Sequence, residues 1–211
     1  MLPRKLHSGR PACRLNYEGQ WEDTHVMDTS KPRRPDVLET ELVGGVEKRQ
    51  LELTAYDYRW PGMYLQHQRR IGNALSAAEI DIDHIGSTSV PGLAAKPIID
   101  IVVAVLDITA EEEYLHALLA AGYQLRVREP GHRLVRTPER DVHVHILQKG
   151  DPAIRNFILL RDHLRTSVDD RALYEDTKRD LLAHPWDDMN AYAEAKSQVI
   201  AAIMARPRRH Q

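Results

Sequence analysis

At 211 residues the chain is long enough for one substantial core. Its formal charge of −2, from 29 Lys and Arg against 31 Asp and Glu, argues against nucleic acid and against anionic membrane surfaces as partners. No apolar run approaches the roughly 18 residues that span a bilayer, the N-terminus has no secretory apolar core, and the single Cys13 can form no internal disulfide; together these point to a reducing cytoplasm.

Residues 1–50 carry Pro, Gly, Arg, Ser and Asp without a sustained period and are expected to form a disordered N-terminal tail, with Met27 as an alternative start. Order is expected over 51–205, followed by a basic tail at 206–211. Pro61 opens a first helix with Tyr64, Ile71, Leu75 and Ala78 on one face. The alternating stretch EIDIDHI predicts a strand that ends at Gly86, and PIIDIVVAVLDI a central strand. Thr109 and Glu112 read as a capping box for a helix that stops at Gly122. Short strands follow at Gln124–Arg128 and Arg133–Arg136, then the alternating strand DVHVHIL. Three helices complete the chain: one opened by Asp151-Pro152, one over DDRALYEDTKRDLLAH and one over DDMNAYAEAKSQVIAAIMA. Strands with one crossover helix, then a run of helices, read as α+β or α/β in one domain.

The stretch HIGSTSVPGLAAKPIIDI is the least ordinary. Asp100 interrupts an apolar strand, where an unpaired carboxylate would cost several kcal/mol, so it needs a cation, a basic side chain or a solvent-open strand end. A structural salt bridge would satisfy it. Gly86 and Ser87, the latter thirteen residues before Asp100, allow close backbone approach and offer N–H and hydroxyl groups to phosphate oxygens. On DVHVHIL, Asp141, His143 and His145 share one face; the two histidines are metal ligands if that strand lies beside Asp100, and merely the polar face of a half-buried strand otherwise. Arg161 and Lys196 fall on the apolar stripes of their helices, which suits either an anion pocket or snorkelling and buried ion pairs. Other chemistries fail earlier: Cys13 lacks a structured setting, Ser87 is in no Gly-x-Ser-x-Gly elbow, and there is no P-loop.

HIGSTSVPGLAAKPIIDI, with YDYRWP before it and GHRLVRTPERDVHVHI, FILLRDHLR and YAEAKSQVI after it, resembles the GrpB family, a branch of the nucleotidyltransferase superfamily. The resemblance implies an α+β fold: a nucleotidyltransferase-like mixed β-sheet flanked by helices, with a C-terminal helical segment. It implies that Gly86, Ser87, Lys96, Arg133, Arg161 and Lys196 bind nucleotide phosphates, and that Asp100 is catalytic and holds a divalent metal, with His143 and His145 as further ligands. The superfamily pattern is acid-x-acid on the strand with a third acid nearby; here Val102 occupies the second position. Mg²⁺ or Mn²⁺ is the expected ion, ahead of Zn²⁺, and a nucleoside triphosphate or other phosphorylated small molecule the expected partner. Two functions follow: metal-dependent transfer of a nucleotidyl group to an unknown acceptor, or a non-catalytic nucleotide-binding or metabolite-binding module accessory to coenzyme A biosynthesis. A phosphohydrolase that uses the histidines is a third.

Overall fold

In the computed structural model the chain divides into a unit of residues 1–32, which lies outside the described residues, and a unit of residues 33–211. Described are residues 34–45, 47, 52–76, 78–183 and 189–206, of which 189–195 are described by backbone alone. The elements are β1 (Glu41–Leu42), α1 (Trp60–Ala74), β2 (Asp81–Ile85), a single 3₁₀ turn (Ser87–Ser89), β3 (Ile99–Val105), α2 (Glu111–Ala120), β4 (Gln124–Glu129), β5 (His132–Arg136), β6 (Val142–Gln148), α3 (Pro152–Thr166), α4 (Val168–Leu182) and α5 (Met189–Met204). No helix among them is long and apolar enough to cross a membrane.

The strands form one six-stranded sheet in the order β1-β4-β5-β6-β3-β2. Only β3 and β6 run parallel; the other neighbours are antiparallel. The Ile- and Val-rich β3 lies between β2 and β6 and is buried on both faces, as its near-continuous apolar run requires. On one face Ile99, Ile101, Val103 and Val105 of β3 join Val142, Val144 and Ile146 of β6 in the main core, against Ile71 of α1 and Leu118 of α2. Each such fully buried side chain contributes roughly 1.5–3 kcal/mol. On the other face Val102 packs with Ile85 and Leu147 beneath Ala153, Ile154 and Phe157 of α3. Beyond them Val90 and Leu93 meet Leu164, Tyr174 and Ile203, which fixes α3, α4 and α5 against the loop that follows β2.

Pro61 sits in the first turn of α1, and Asp151 caps α3 by accepting from the Ala153 N–H at 2.8 Å. Two expectations are corrected. Of the tail expected over residues 1–50, residues 1–33, 46 and 48–50 lie outside the described residues, while residues 34–45 and 47 are tied down: β1 pairs with β4, Glu41 pairs with Arg128 and Glu47 with Arg136. Its acids find arginines on β4 and β5, a long-range match that local composition does not carry. Thr109 does not form a capping box either. Its hydroxyl and its N–H both donate to Asp107 at 2.6 and 2.8 Å, so the helix begins later with Ala110 at the cap position.

Candidate metal and phosphate site

β2 ends at Ile85, which pairs with Asp100 across the antiparallel ladder, so the following Gly86 lies directly over the Asp100 carboxylate. Gly86 adopts φ +70 and ψ −175, a region essentially restricted to glycine. A Cβ there would meet Asp100 Oδ2 at 2.5 Å and Asp100 Cβ at 3.1 Å. Backbone strain and the clash therefore act together. Gly86→Ala is expected to cost about 1–3 kcal/mol in a denaturant titration and to weaken any ligand held by the displaced carboxylate.

The corner is held rigidly. Ser89 Oγ donates to the Gly86 carbonyl at 2.5 Å, and Arg165 donates twice to the Ser89 carbonyl at 2.8 and 3.0 Å. Thr88 donates its hydroxyl proton to the Ile98 carbonyl at 3.0 Å, so the 3.1 Å contact with His84 Nε2 is an imidazole N–H donating to Thr88 Oγ1. His84 stacks on Tyr64 with ring centroids 4.7 Å apart, and burial pushes its pKa down to about 4. Neutral at pH 7, it fixes the turn rather than binding an anion.

The parallel register sets Asp100 beside His143 and Val102 beside His145. Asp100 Oδ1 lies 3.6 Å from His143 Nδ1 and 3.7 Å from His145 Nε2. One ligand atom from each of the three residues falls within 4.8 Å of the others. Burial raises the Asp100 pKa, but His145, His143 and Lys196 more than offset it and the carboxyl titrates below its ordinary value. His145 Nδ1 contacts His132 Nε2 at 3.1 Å, and His132 Nδ1 contacts Glu129 Oε1 at 2.6 Å. Burial and the neighbouring His145 lower the His132 pKa against the opposing pull of Glu129.

These groups open into a cavity of about 290 Å³ between the sheet and the C-terminal helices. Its polar wall is Gly86, Ser87, Asp100, His143, His145, Arg161 and Lys196; its apolar wall includes Val90, Phe157, Leu160, Tyr174 and Ile200. Arg161 is already engaged, donating to Asp83 at 2.9 Å, to the His84 carbonyl at 3.0 Å and to Asp162 at 2.7 Å. Lys96 is half-buried and off the cavity wall, yet its charge reaches Lys178.

Lys178 was not among the sequence candidates. It is 2% exposed, and its ammonium donates to Ser87 Oγ at 3.2 Å and to the Ala94 carbonyl at 2.5 Å. Lys178 and Lys196 lie 4.9 and 6.0 Å from the centre of the Tyr174 ring. Burial first, then Lys196, Arg179 and Lys96, push the Lys178 pKa down to about 7, with Glu175 opposing. Its sequence signal was the four-residue step from Tyr174 on α4, the same apolar-stripe argument that singled out Arg161 and Lys196.

Arg133 is a correction. It pairs with Ile146, so it faces the main core on the side of the sheet opposite Asp100. There, fully buried, it forms ion pairs with Glu111 at 2.7 Å and Asp36 at 2.9 Å. It does not line the cavity.

The fold is the nucleotidyltransferase-like mixed sheet expected from the sequence. The GrpB protein family model matches residues 50–206. A UPF0157 protein of Streptomyces coelicolor is 63% identical over 181 residues, covering 86% of this chain and 97% of that protein. The crystal structure of the conserved protein GrpB from Enterococcus faecalis superimposes with a TM-score of 0.62 at 29% identity, over 72% of this chain and 97% of that one. The GLD-2/RNP-8 complex shares the fold at a TM-score of 0.50 and 15% identity, over 72% of this chain and 62% of the matched one. With the family match running from before α1 to the end of α5, the chain belongs to the GrpB family.

Proposed function

We propose that the cavity binds a nucleoside triphosphate and that the protein transfers its nucleotidyl group to an acceptor in the presence of a divalent cation. The observation that carries this reading is the close approach of Gly86 to Asp100, which joins a glycine-serine corner and a carboxylate in one cavity lined by Lys196, with the buried Lys178 donating to Ser87 behind it. Asp100, His143 and His145 would hold the cation, which supplies charge neutralisation for phosphate oxygens when bound. One carboxylate and two imidazoles suit Mn²⁺ or Zn²⁺ better than Mg²⁺, which prefers an all-oxygen shell.

The backbone at Gly86 and the Ser87 hydroxyl orient the phosphates, and Lys178 and Lys196 balance their charge. An acceptor hydroxyl attacks the α-phosphorus in line and gives its proton to solvent; the new P–O bond forms as the bond to the β-phosphate oxygen breaks, and pyrophosphate leaves. Incubation with each triphosphate and Mn²⁺ or Mg²⁺ across a broad acceptor panel tests this by pyrophosphate release, with Mn²⁺ expected to support the faster rate. A second reading, a binding module without turnover, is favoured by Val102, which is buried between Ile85 and Leu147 where the superfamily pattern has its second acid. Triphosphate binding without pyrophosphate release would support it.

Lys178 gives the pH dependence. With its free-state pKa near 7, a bound phosphate anion favours the ammonium, so binding takes up a proton above that pH. The affinity for a non-hydrolysable triphosphate is expected to fall by up to about tenfold per unit as pH rises above 7. Lys178→Met should flatten this slope, as read by calorimetry; an unchanged slope would remove Lys178 from the phosphate pocket.

A further inference from the structure

We infer that Glu129 and His132 are positioning residues that lock His145 in the tautomer able to ligate a first-row divalent cation at Asp100 and His143. The inference rests on reading those three residues as a cation site. It begins from the order of contacts across four adjacent strands: Glu129 on β4, His132 on β5, His145 on β6 and Asp100 on β3.

A carboxylate only accepts, so the 2.6 Å contact with Glu129 Oε1 assigns the His132 ring proton to Nδ1. The Nε2 atom of neutral His132 is then an acceptor, and its 3.1 Å contact with His145 Nδ1 must be filled by a proton on His145 Nδ1. That tautomer leaves a lone pair on His145 Nε2, which faces Asp100 Oδ1 at 3.7 Å, where a cation would meet both atoms. The alignment is not loose: the His132 and His145 rings are stacked within 15° at 5.2 Å. Glu129, with its side chain 41% exposed, sits at the outer end of the chain, and His132 and His145, at 17% and 23%, lie further in. A carboxylate behind a histidine raises the basicity of the ligand beyond it, and loss of such a partner typically weakens metal affinity by about 10–100-fold. The imidazole donors select Mn²⁺ or Zn²⁺ over Mg²⁺.

Mn²⁺ titration of the full chain, followed by loss of the free-ion EPR signal, tests this, with pulsed EPR counting the coordinated imidazoles. Wild-type protein is expected to bind with nitrogen coupling from two imidazoles. His132→Phe, which keeps a flat ring beside His145, is expected to weaken binding by about 10–100-fold and to lose one imidazole coupling. Glu129→Gln changes only a partly exposed side chain and retains a carbonyl acceptor for His132, so its loss should be smaller than that of His132→Phe. Wild-type affinity and two couplings in both variants would overturn the inference and leave the cation site standing. Absence of Mn²⁺ and Zn²⁺ binding in the wild type would overturn the site itself.

Discussion

Asp100→Asn is expected to abolish cation binding and to lower pyrophosphate release by about 10²–10³-fold, with little change in thermal stability. The substitution keeps the side-chain volume beneath Gly86, so the corner stays in place. It removes the one anionic oxygen donor of the Asp100, His143 and His145 cluster, for which the two imidazoles cannot substitute. The charge balance of the cavity changes as well. With the cation lost, a triphosphate should still bind, through its phosphates and the charges of Lys178 and Lys196, more weakly than in the wild type. The expected pattern is therefore binding without turnover. Asp100→Asn that retains wild-type pyrophosphate release would show that the chemistry lies elsewhere, and the nucleotidyl-transfer reading would fall.

The strands that carry this site were legible because side-chain alternation does not depend on what the strand pairs with. His143 and His145 could be assigned to one face of their strand from period-two spacing alone, Asp100 stood out as the one charge in an apolar strand, and the parallel β3–β6 register then put the three together. Gly86 was legible from its place between a strand and a serine. Glu129 and His132 were not, because their link to His145 depends on which residue of β5 lies opposite which residue of β6. Lys178 lies 91 residues from Ser87 and comes to it only through the docking of α4. Arg133 shows the cost of a one-residue difference: His132 and Leu134 share the face of His145, and Arg133 between them is turned into the core. The ordered segment before residue 50 was hidden for a related reason, since its acids are satisfied by arginines more than eighty residues away.

That buried cluster carries the largest expected effect on stability. Glu111 is shared by Arg128, at 2.9 Å, and by the fully buried Arg133, at 2.7 Å. Burial raises its pKa, but hydrogen bonds and charge from the two arginines outweigh that and hold it below the ordinary carboxylate range. Glu111→Ala leaves the Arg133 guanidinium in the core with Asp36 as its remaining carboxylate, and is expected to destabilise by about 3–5 kcal/mol, lowering Tm by about 6–20 °C. Arg133→Met should cost less, because Glu111 keeps Arg128 and the partly exposed Asp36 turns to water. The pH dependence follows from the sign of the shift: the unfolded chain takes up the Glu111 proton first as pH falls. The stability that Glu111 provides is thus full above its unfolded pKa and is lost as pH falls through the folded value. The wild type should lose this increment on acidification and Glu111→Ala should not, as followed by denaturant unfolding at a series of pH values. Because the cluster and the cavity lie on opposite faces of the sheet, both variants should bind Mn²⁺ and triphosphate like the wild type once folded. A folded Arg133→Met protein with weakened triphosphate binding would instead return Arg133 to the phosphate pocket and contradict the register that turns it away.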